Sequence, residues 1–221
     1  MTSNEFRERL SARAENADVS ITADALAKLE TYFKLLTRWN AKINLTALPL
    51  RRPTDETFDR LLIEPLAAAR YVADSARKWF DVGSGGGSPA IPLKILHPRV
   101  ELTMVESKAR KAAFLREAVR ALELPATDVE NQRFEDVVPH VRSQSVDLVS
   151  VRAVKSTSSL LIAIRLLLSP NGRVFVFQSP AGGPEAPPGF EMVELVRLGT
   201  SHDARLSILK PVFHVEQRGI T

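Results

Sequence analysis

A glycine-rich turn between a predicted strand and a predicted helix constrains the fold of this chain more than any other segment. Residues 80–93 read F-D-V-G-S-G-G-G-S-P-A-I-P-L, so a hydrophobic strand ends at Val82 and a helix opens at Pro89. Glycine is required where the backbone takes a positive φ or approaches a ligand closely, and a helix N-terminus offers free N–H groups to an anion. The turn therefore predicts an α/β sheet with a nucleotide-like ligand above its strand ends.

The spacing of the glycines narrows the kind of ligand. The dinucleotide fingerprint is G-x-G-x-x-G; Gly83 and Gly85 fit it, but Ser88 stands at its sixth position. The spacing D-x-G-x-G-x-G, from Asp81 to Gly87, instead resembles motif I of class I S-adenosylmethionine-dependent methyltransferases. This resemblance implies that the loop passes the methionine part of the cofactor, whose amino group Asp81 helps to hold. A nicotinamide dinucleotide and a turn without a ligand remain as alternatives.

A second acidic residue supports a ligand that contains ribose. Residues 100–105 read V-E-L-T-M-V, which predicts a short buried strand, and Glu106 follows it directly. An acid at the end of the second strand, about 20 residues after the glycine loop, can accept hydrogen bonds from ribose hydroxyls. Sites for NAD place an acid there too, so Glu106 alone does not name the cofactor.

Composition excludes several classes of site. No residue is cysteine, which excludes disulfides, a thiol nucleophile and cysteine-ligated metals. The four histidines are scattered, so we expect no zinc site. No apolar run approaches the roughly 20 residues that cross a bilayer, and the charged N-terminus does not resemble an export signal. We therefore expect a cytoplasmic monomer without membrane contact, and the net charge of +4 permits an anionic partner.

The order of predicted elements indicates a parallel sheet with helices on both faces. Apolar runs predict strands at 78–82, 100–105, 126–131, 146–151, 173–178, 190–198 and 205–213. Helical periodicity predicts helices at 21–39, 56–76, 89–96, 108–122 and 157–168. Alternating strands and helices with short connections build such a sheet, and the last two strands are expected to close it as an antiparallel pair. The proline- and glycine-rich stretch 179–189 predicts an ordinary loop or a mobile lid.

These elements divide into two predicted parts. Residues 1–76 form an N-terminal helical extension, in which residues 1–20 are expected to be a frayed helix or a tail. Residues 77–221 form the α/β domain that carries the glycine loop and resembles a class I methyltransferase, with a Rossmann-like sheet.

Four segments together resemble one family, the small-subunit rRNA guanine-N7 methyltransferases (RsmG, also called glucose-inhibited division protein B). They are W-N-A-K-I-N-L-T-A at 39–47, D-V-G-S-G-G-G-S-P-A-I-P-L at 81–93, E-S-K-A-R-K-A-A-F-L-R at 106–116 and S-V-R-A at 150–153. The resemblance covers about residues 25 to 180. It implies transfer of a methyl group from S-adenosylmethionine to N7 of a guanine in 16S rRNA, with the rRNA or a ribosomal particle as partner.

The resemblance also implies a set of cofactor-binding residues. They are Asp81, Gly83, Gly85, Gly87, Ser88, Glu106, Phe134, Glu135 and Arg152. Phe134 and Glu135 would lie beside the adenine, although Phe134 equally fits an anchor in the core. Arg152, at the mouth of the site, fits the cofactor carboxylate, a substrate phosphate, or a salt bridge to a neighbouring carboxylate.

The substrate side departs from the family pattern. The family has R-H-x-x-D-S before the glycine loop, whereas this chain has R-L-L-I-E-P at 60–65; Ala90 and Gln178 also differ from the family residues. Candidate substrate contacts are Arg60, Glu64, Lys108, Arg110 and Lys111. The departures leave three alternatives open: the same chemistry on a small molecule, a cofactor-binding protein without activity, and a nicotinamide oxidoreductase.

Methylation of guanine N7 asks little acid–base chemistry of a protein. N7 carries a lone pair and no proton, and a sulfonium is an activated methyl donor. We therefore expect catalysis by alignment of donor and acceptor, and we predict no catalytic acid or base.

Overall fold

The computed structural model describes residues 1–152, 157–178, 186–199 and 203–213. Within these residues the strands form one seven-stranded sheet in the order β3-β2-β1-β4-β5-β7-β6. The strands are β1 Lys78–Val82, β2 Glu101–Val105, β3 Thr127–Glu130, β4 Val146–Arg152, β5 Leu168–Gln178, β6 Phe190–Arg197 and β7 Arg205–Pro211. The first five strands pair in parallel, and β7 runs antiparallel to both β5 and β6.

The helices lie before and between the strands. They are α1 Ser3–Asn16, α2 Ala23–Asn40, α3 Asp55–Phe58, α4 Glu64–Ala68, α5 Ala90–Leu96, α6 Ala109–Ala121, α7 Phe134–Val137 and α8 Ser158–Leu167. A π-helical turn, Asp59–Ile63, joins α3 to α4, and short 3₁₀ turns follow α4 and α7. Because π-helical turns are rare and often accompany functional sites, the turn at 59–63 indicates that this part of the extension could belong to a functional site.

The predicted fold class is confirmed, with shifts at the ends of elements. Helices lie on both faces, because α2, α5 and α6 pack in one hydrophobic cluster and α7 and α8 in the other. The predicted helix 56–76 ends at Tyr71, since an extended Val72 stops it, and β5 begins five residues earlier than the predicted 173. Most of the predicted loop 179–189 and Ala153 of the S-V-R-A segment lie outside the described residues.

The expectation of a frayed N-terminus is wrong. Helix α1 begins with a capping box, in which Thr2 and Glu5 bond each other's backbone N–H groups. Phe6 is 2% exposed, and its ring centroid lies 5.3 Å from that of Phe33 and 5.4 Å from that of Phe58. The polar composition of residues 1–20 hid this packing, since one apolar residue per turn suffices to attach the helix.

The sheet and the extension share a core. One hydrophobic cluster contains buried residues of α1, α2 and the 58–68 segment together with residues of β1, β2, β4 and β5. The division at residue 76 stays a prediction about folding units. The order of the strands reverses between β1 and β4, and ligands of such sheets bind at this point, beyond the carboxyl ends of the strands.

Candidate active site

The glycine loop, residues 83–87, is tied to the end of the neighbouring strand. The N–H groups of Gly83 and Ser84 donate to the carbonyl of Val105 at 2.9 and 3.1 Å. Gly83, Gly85 and Gly87 have φ angles of +70°, +52° and +85°, a conformation that residues with a β-carbon rarely adopt. The backbone of the loop therefore depends on these glycines.

Glu106, directly after β2, braces this loop with its carboxylate. Its Oε2 accepts a hydrogen bond from the N–H of Gly85 at 2.9 Å, and its Oε1 accepts one from the N–H of Lys108 at 2.8 Å. A carboxylate has about four acceptor positions. Glu106 can therefore shape the loop and still accept a hydrogen bond from a ribose hydroxyl.

Asp81 lies buried beneath the loop, with 1% of its surface exposed. Its Oδ1 accepts a hydrogen bond from the hydroxyl of Ser150 on β4, and Ser150 Oγ in turn accepts a hydrogen bond from the indole N–H of Trp79 at 2.8 Å. Within the described residues Asp81 Oδ2 has no hydrogen-bond partner. Burial raises the pKa of Asp81 to about 6, although the Ser150 hydroxyl opposes the shift. An orphaned buried oxygen of this kind fits a donor group supplied by a ligand.

Arg152, at the end of β4, joins three parts of the molecule. Its Nη2 pairs with Glu64 Oε2 at 2.9 Å, and its Nη1 donates to the carbonyl of Arg60 and lies 3.4 Å from Ser88 Oγ. The guanidinium carbon lies 4.5 Å from the centre of the Phe177 ring. Burial lowers the pKa of Arg152, while the Glu64 carboxylate opposes that shift. The salt bridge considered from the sequence is therefore present, and it links the extension to the sheet.

Among the residues that the structure describes, two cavities flank Gly83. The smaller has a volume of about 220 Å³ and a largely apolar wall that includes Val82, Val105, Phe134 and Leu160. Polar groups in its lining come from Ser107, Gln132, Arg133, Glu135 and Thr157. Phe134 is 4% exposed and packs edge-on against Phe80 with 6.3 Å between ring centroids, so it is a core residue, and it also lines this cavity.

The larger cavity has a volume of about 380 Å³ and lies on the other side of the loop. Three cationic side chains, Arg60, Lys111 and Arg152, belong to its lining. The remaining lining residues come from the glycine loop, from α2 and from the extension: Leu36, Leu45, Thr46, Ala47, Leu48, Leu61, Gly83, Ser84, Gly85, Gly86 and Ser88. This cavity is the more basic of the two.

The structure brings together most of the residues that the sequence indicated. Gly83, Gly85, Ser88, Arg60, Lys111 and Arg152 line the larger cavity, and Phe134 and Glu135 line the smaller. Asp81, Gly87, Glu64 and Glu106 are not part of either lining. Lys108 and Arg110 are exposed at the start of α6, outside both linings.

Sequence reasoning missed several participants. Thr46, Ala47 and Leu48 form a wall of the larger cavity, Tyr32 donates its hydroxyl to the carbonyl of Gly86 at 2.6 Å, and Ser150 holds Asp81. The segment W-N-A-K-I-N-L-T-A was a usable signal for the wall. Tyr32 had none, because a tyrosine on an apolar helix face is ordinarily a core residue.

A comparison with known families identifies the group to which these features belong. The sequence pattern of the family described as rRNA small subunit methyltransferase G matches residues 25–182, more than two thirds of the chain. The chain belongs to this family. The resemblance that the four sequence segments indicated is confirmed.

Curated relatives agree with this membership. A ribosomal RNA small subunit methyltransferase G from Halorhodospira halophila is 33% identical over 172 residues, which is 78% of each chain. One from Pseudomonas entomophila is 38% identical over 132 residues, 60% of each chain, and one from Pseudomonas putida strain F1 is 37% identical over 149 residues. The matched region spans 60% and 66% of the length of these two Pseudomonas relatives.

Solved structures support the fold. A SAM-dependent methyltransferase from Aquifex aeolicus has a TM-score of 0.56 at 14% identity, covering 70% of this chain and 93% of that one. A mutant of MtNAS in complex with S-adenosylmethionine has a TM-score of 0.55 at 14% identity, covering 96% and 93%. In the part of the chain that the structure describes, no helix is both long and apolar enough for a membrane span, and no three metal-ligating side chains cluster.

Proposed function

We propose that this chain transfers the methyl group of S-adenosylmethionine to N7 of a guanine in the rRNA of the small ribosomal subunit. The observation that carries the proposal is the pair of unlike cavities that flank Gly83 beside one glycine loop. One cavity is small and mainly apolar, as an adenine requires, and the other is larger and basic, as a nucleotide requires. A methyl donor over the loop would bridge the two.

The cofactor would lie across the carboxyl ends of β1 and β2. Its adenine would pack against Phe134 in the smaller cavity, and Glu106 would accept a hydrogen bond from a ribose hydroxyl. The orphaned Oδ2 of Asp81, two residues before the first glycine of the loop, would accept a hydrogen bond from the amino group of the methionine part, directly or through water. Gly83 and Gly85 would allow the backbone to approach the cofactor closely. The donor set is thus suited to S-adenosylmethionine.

The larger cavity would take the acceptor nucleotide. Arg60 is 43% exposed at its edge and Lys111 is half-buried, so both can meet a phosphate. Lys108 and Arg110 extend the positive charge outward along the start of α6. Contacts of lysine and arginine with phosphates supply much of the affinity for RNA, and the rRNA or a ribosomal particle is therefore the proposed partner.

Rate enhancement would come from alignment. N7 needs no base, because it carries no proton, and the sulfonium supplies the activated methyl group. The protein would hold the acceptor nitrogen, the methyl carbon and the sulfur in line and exclude water, which can contribute several kcal/mol (about 7–11 in favourable systems). The residues around the cavity, including Arg60 and Arg152, would position the base or a phosphate without exchanging protons.

One observation favours a second candidate, methylation of a small molecule. Leu61 lines the larger cavity at the position where the sequence segment R-L-L-I-E-P replaces a family histidine. A leucine side chain there cannot form a hydrogen bond with a guanine. The basic rim favours the nucleic acid.

The deciding experiment offers labelled S-adenosylmethionine to unmethylated small ribosomal subunits and, separately, to their extracted rRNA. Mass spectrometry of the digested nucleosides should find a new 7-methylguanosine in at least one of the two. A preparation that binds S-adenosylmethionine tightly yet labels neither RNA would reject the rRNA substrate and favour the small-molecule candidate. A chain that does not bind S-adenosylmethionine would reject both.

A further inference from the structure

The segment W-N-A-K-I-N-L-T-A, residues 39–47, carries part of the family resemblance, and the function proposed above assigns its residues no individual roles. It begins at the end of α2 and runs beside the glycine loop. Thr46, Ala47 and Leu48 line the larger cavity, as do Arg60 and Arg152. A wall made from an irregular segment needs something to hold its backbone in place.

The side chain of Asn40 supplies three hydrogen bonds to that backbone. Its Oδ1 accepts from the N–H of Leu45 at 2.8 Å and of Thr46 at 3.0 Å, and its Nδ2 donates to the carbonyl of Thr46 at 3.1 Å. We refer to these three bonds as the Asn40 clasp. Among neutral side chains, only asparagine and glutamine carry a carboxamide, which combines an acceptor oxygen with an NH₂ donor.

One end of the clasp is anchored on the methyltransferase domain. The neighbouring Trp39 donates its indole N–H to Glu117 of α6 at 3.0 Å, and its ring packs edge-on against Phe114 with 6.0 Å between centroids. The last turn of α2, which carries Asn40, is therefore fixed relative to the helix that starts beside the cofactor site.

The other end of the clasp rests on the glycine loop. The carbonyl oxygen of Leu45 approaches Gly86 so closely that a β-carbon on Gly86 would lie 3.3 Å from it. Leu45 is 8% exposed, and Tyr32 of α2 donates to the carbonyl of the same glycine. The backbone of the wall thus packs closely against the loop at Gly86, beside the side chain of Leu36.

We propose that Asn40 is a positioning residue for the methyl acceptor, which acts by fixing Leu45–Leu48 as the wall of the larger cavity. This inference rests on the proposed function, because it assigns the acceptor to that cavity. Asn40 is not itself part of the lining. Its loss should move the wall and misplace the acceptor, while the smaller cavity, made from other segments, keeps its form.

The test compares Asn40→Ala and Asn40→Asp with the wild type in steady-state methylation of small ribosomal subunits. Asn40→Ala removes all three bonds, and we expect kcat/KM for the subunits to fall by about 100-fold, the scale of a misplacement of about 1 Å. Asn40→Asp keeps the acceptor for the N–H groups of Leu45 and Thr46 but loses the donor. We therefore expect kcat/KM to fall less in Asn40→Asp than in Asn40→Ala. The affinity for S-adenosylmethionine, measured by calorimetry, should stay within about twofold for both.

Asn16→Ala is the matched control. Asn16 also ends a helix, α1, but it is exposed and lies outside both cavity linings. We expect this variant to retain the wild-type kcat/KM. Unchanged kcat/KM in Asn40→Ala would overturn the proposal. So would a loss of cofactor affinity equal to the loss of kcat/KM, because Asn40 would then act on the whole site.

Amide hydrogen exchange separates this inference from the proposed function. In the wild type the N–H groups of Leu45 and Thr46 should exchange slowly, and in Asn40→Ala quickly. If the wild type labels no RNA, the proposed function fails, and with it the assignment of the acceptor, whatever the exchange shows. If the wild type labels RNA but these two amides exchange freely in it, only the Asn40 clasp is overturned.

Discussion

The two cavities beside Gly83 differ in how the chain builds them. The smaller one is formed by the ends of β1 and β2, by the 132–135 segment and by the start of α8, all within the α/β domain. The larger one combines the glycine loop with residues 36–61 of the extension, with Lys111 and with Arg152. The first is thus a property of the sheet, whereas the second exists only when the extension packs on the sheet.

This difference separates two kinds of residue. Around the smaller cavity the lining residues lie at or near strand ends or the starts of helices within the α/β domain. Around the larger cavity the contacts join distant segments, such as Arg152 with Glu64, 88 positions apart. We expect substitutions on the cofactor side to change binding of S-adenosylmethionine, and those on the acceptor side to change stability and turnover.

The largest effect is expected for Arg152→Ala. It removes the ion pair with Glu64, the hydrogen bond to the carbonyl of Arg60 and the contact with the Phe177 ring. Breaking a buried ion pair costs about 3–5 kcal/mol, so the denaturant midpoint should fall strongly and turnover should drop with it. Arg152→Lys keeps the charge but loses the planar fork, and it should recover part of the stability. A midpoint within error of the wild type for Arg152→Ala would break the idea that this contact attaches the extension.

Gly85→Val tests the cofactor side. Gly85 has a φ of +52°, and its N–H donates to Glu106, so a β-branched residue strains the loop and would occupy the space above it. We expect the affinity for S-adenosylmethionine to fall by more than about 100-fold. Gly189→Val is the control, because Gly189 has a φ of +84° but belongs to neither cavity lining, and a β-carbon added there would lie 3.4 Å from Arg165 Cδ. Equal cofactor affinity in the two variants would show that strain alone, and not the loop, explains any loss.

Glu106→Ala should weaken cofactor binding by about 1–3 kcal/mol, the scale of a charge-assisted hydrogen bond. The loss has two sources, the ribose contact and the brace on Gly85 and Lys108. Glu101→Ala, at the exposed opposite end of the same strand, is the control and should bind like the wild type. Calorimetric titration measures both. Full affinity in Glu106→Ala would remove this residue from the cofactor site.

The smallest effect is a pH dependence that originates at Asp81. Its pKa in the folded chain is about 6, raised from 3.8 by burial. Between these values the folded chain keeps a proton that the unfolded chain has lost, so stability without cofactor should fall as the pH rises from 4 to 6. A cationic amino group of the cofactor favours the charged carboxylate, so affinity should instead rise, by about tenfold between pH 5 and 7. Asp81→Asn should abolish both trends; the same trends in this variant would assign them to another group.

Much of the fold and the glycine-loop half of the candidate site could be predicted from the sequence. Alternating apolar runs indicated the strands, and the spacing of Asp81, the glycines and Glu106 indicated a candidate ligand site. These features are local, because a turn or a strand end requires particular residues at fixed short separations. That α1 is a packed helix was missed, because its three buried positions, Phe6, Leu10 and Ala14, are spread through a polar sequence.

The glycine loop, the strand that precedes it and the acid after β2 could be inferred from short stretches of residues, because backbone conformation and strand-end chemistry depend on neighbouring residues. Three contacts were visible only in the folded chain: Arg152 pairs with Glu64, Ser150 donates to one oxygen of Asp81, and Asn40 bonds the backbone of the cavity wall that packs against Gly86. The first two of these contacts join residues 88 and 69 positions apart. Such contacts form when whole surfaces pack together in the folded chain. No short stretch of sequence contains both partners.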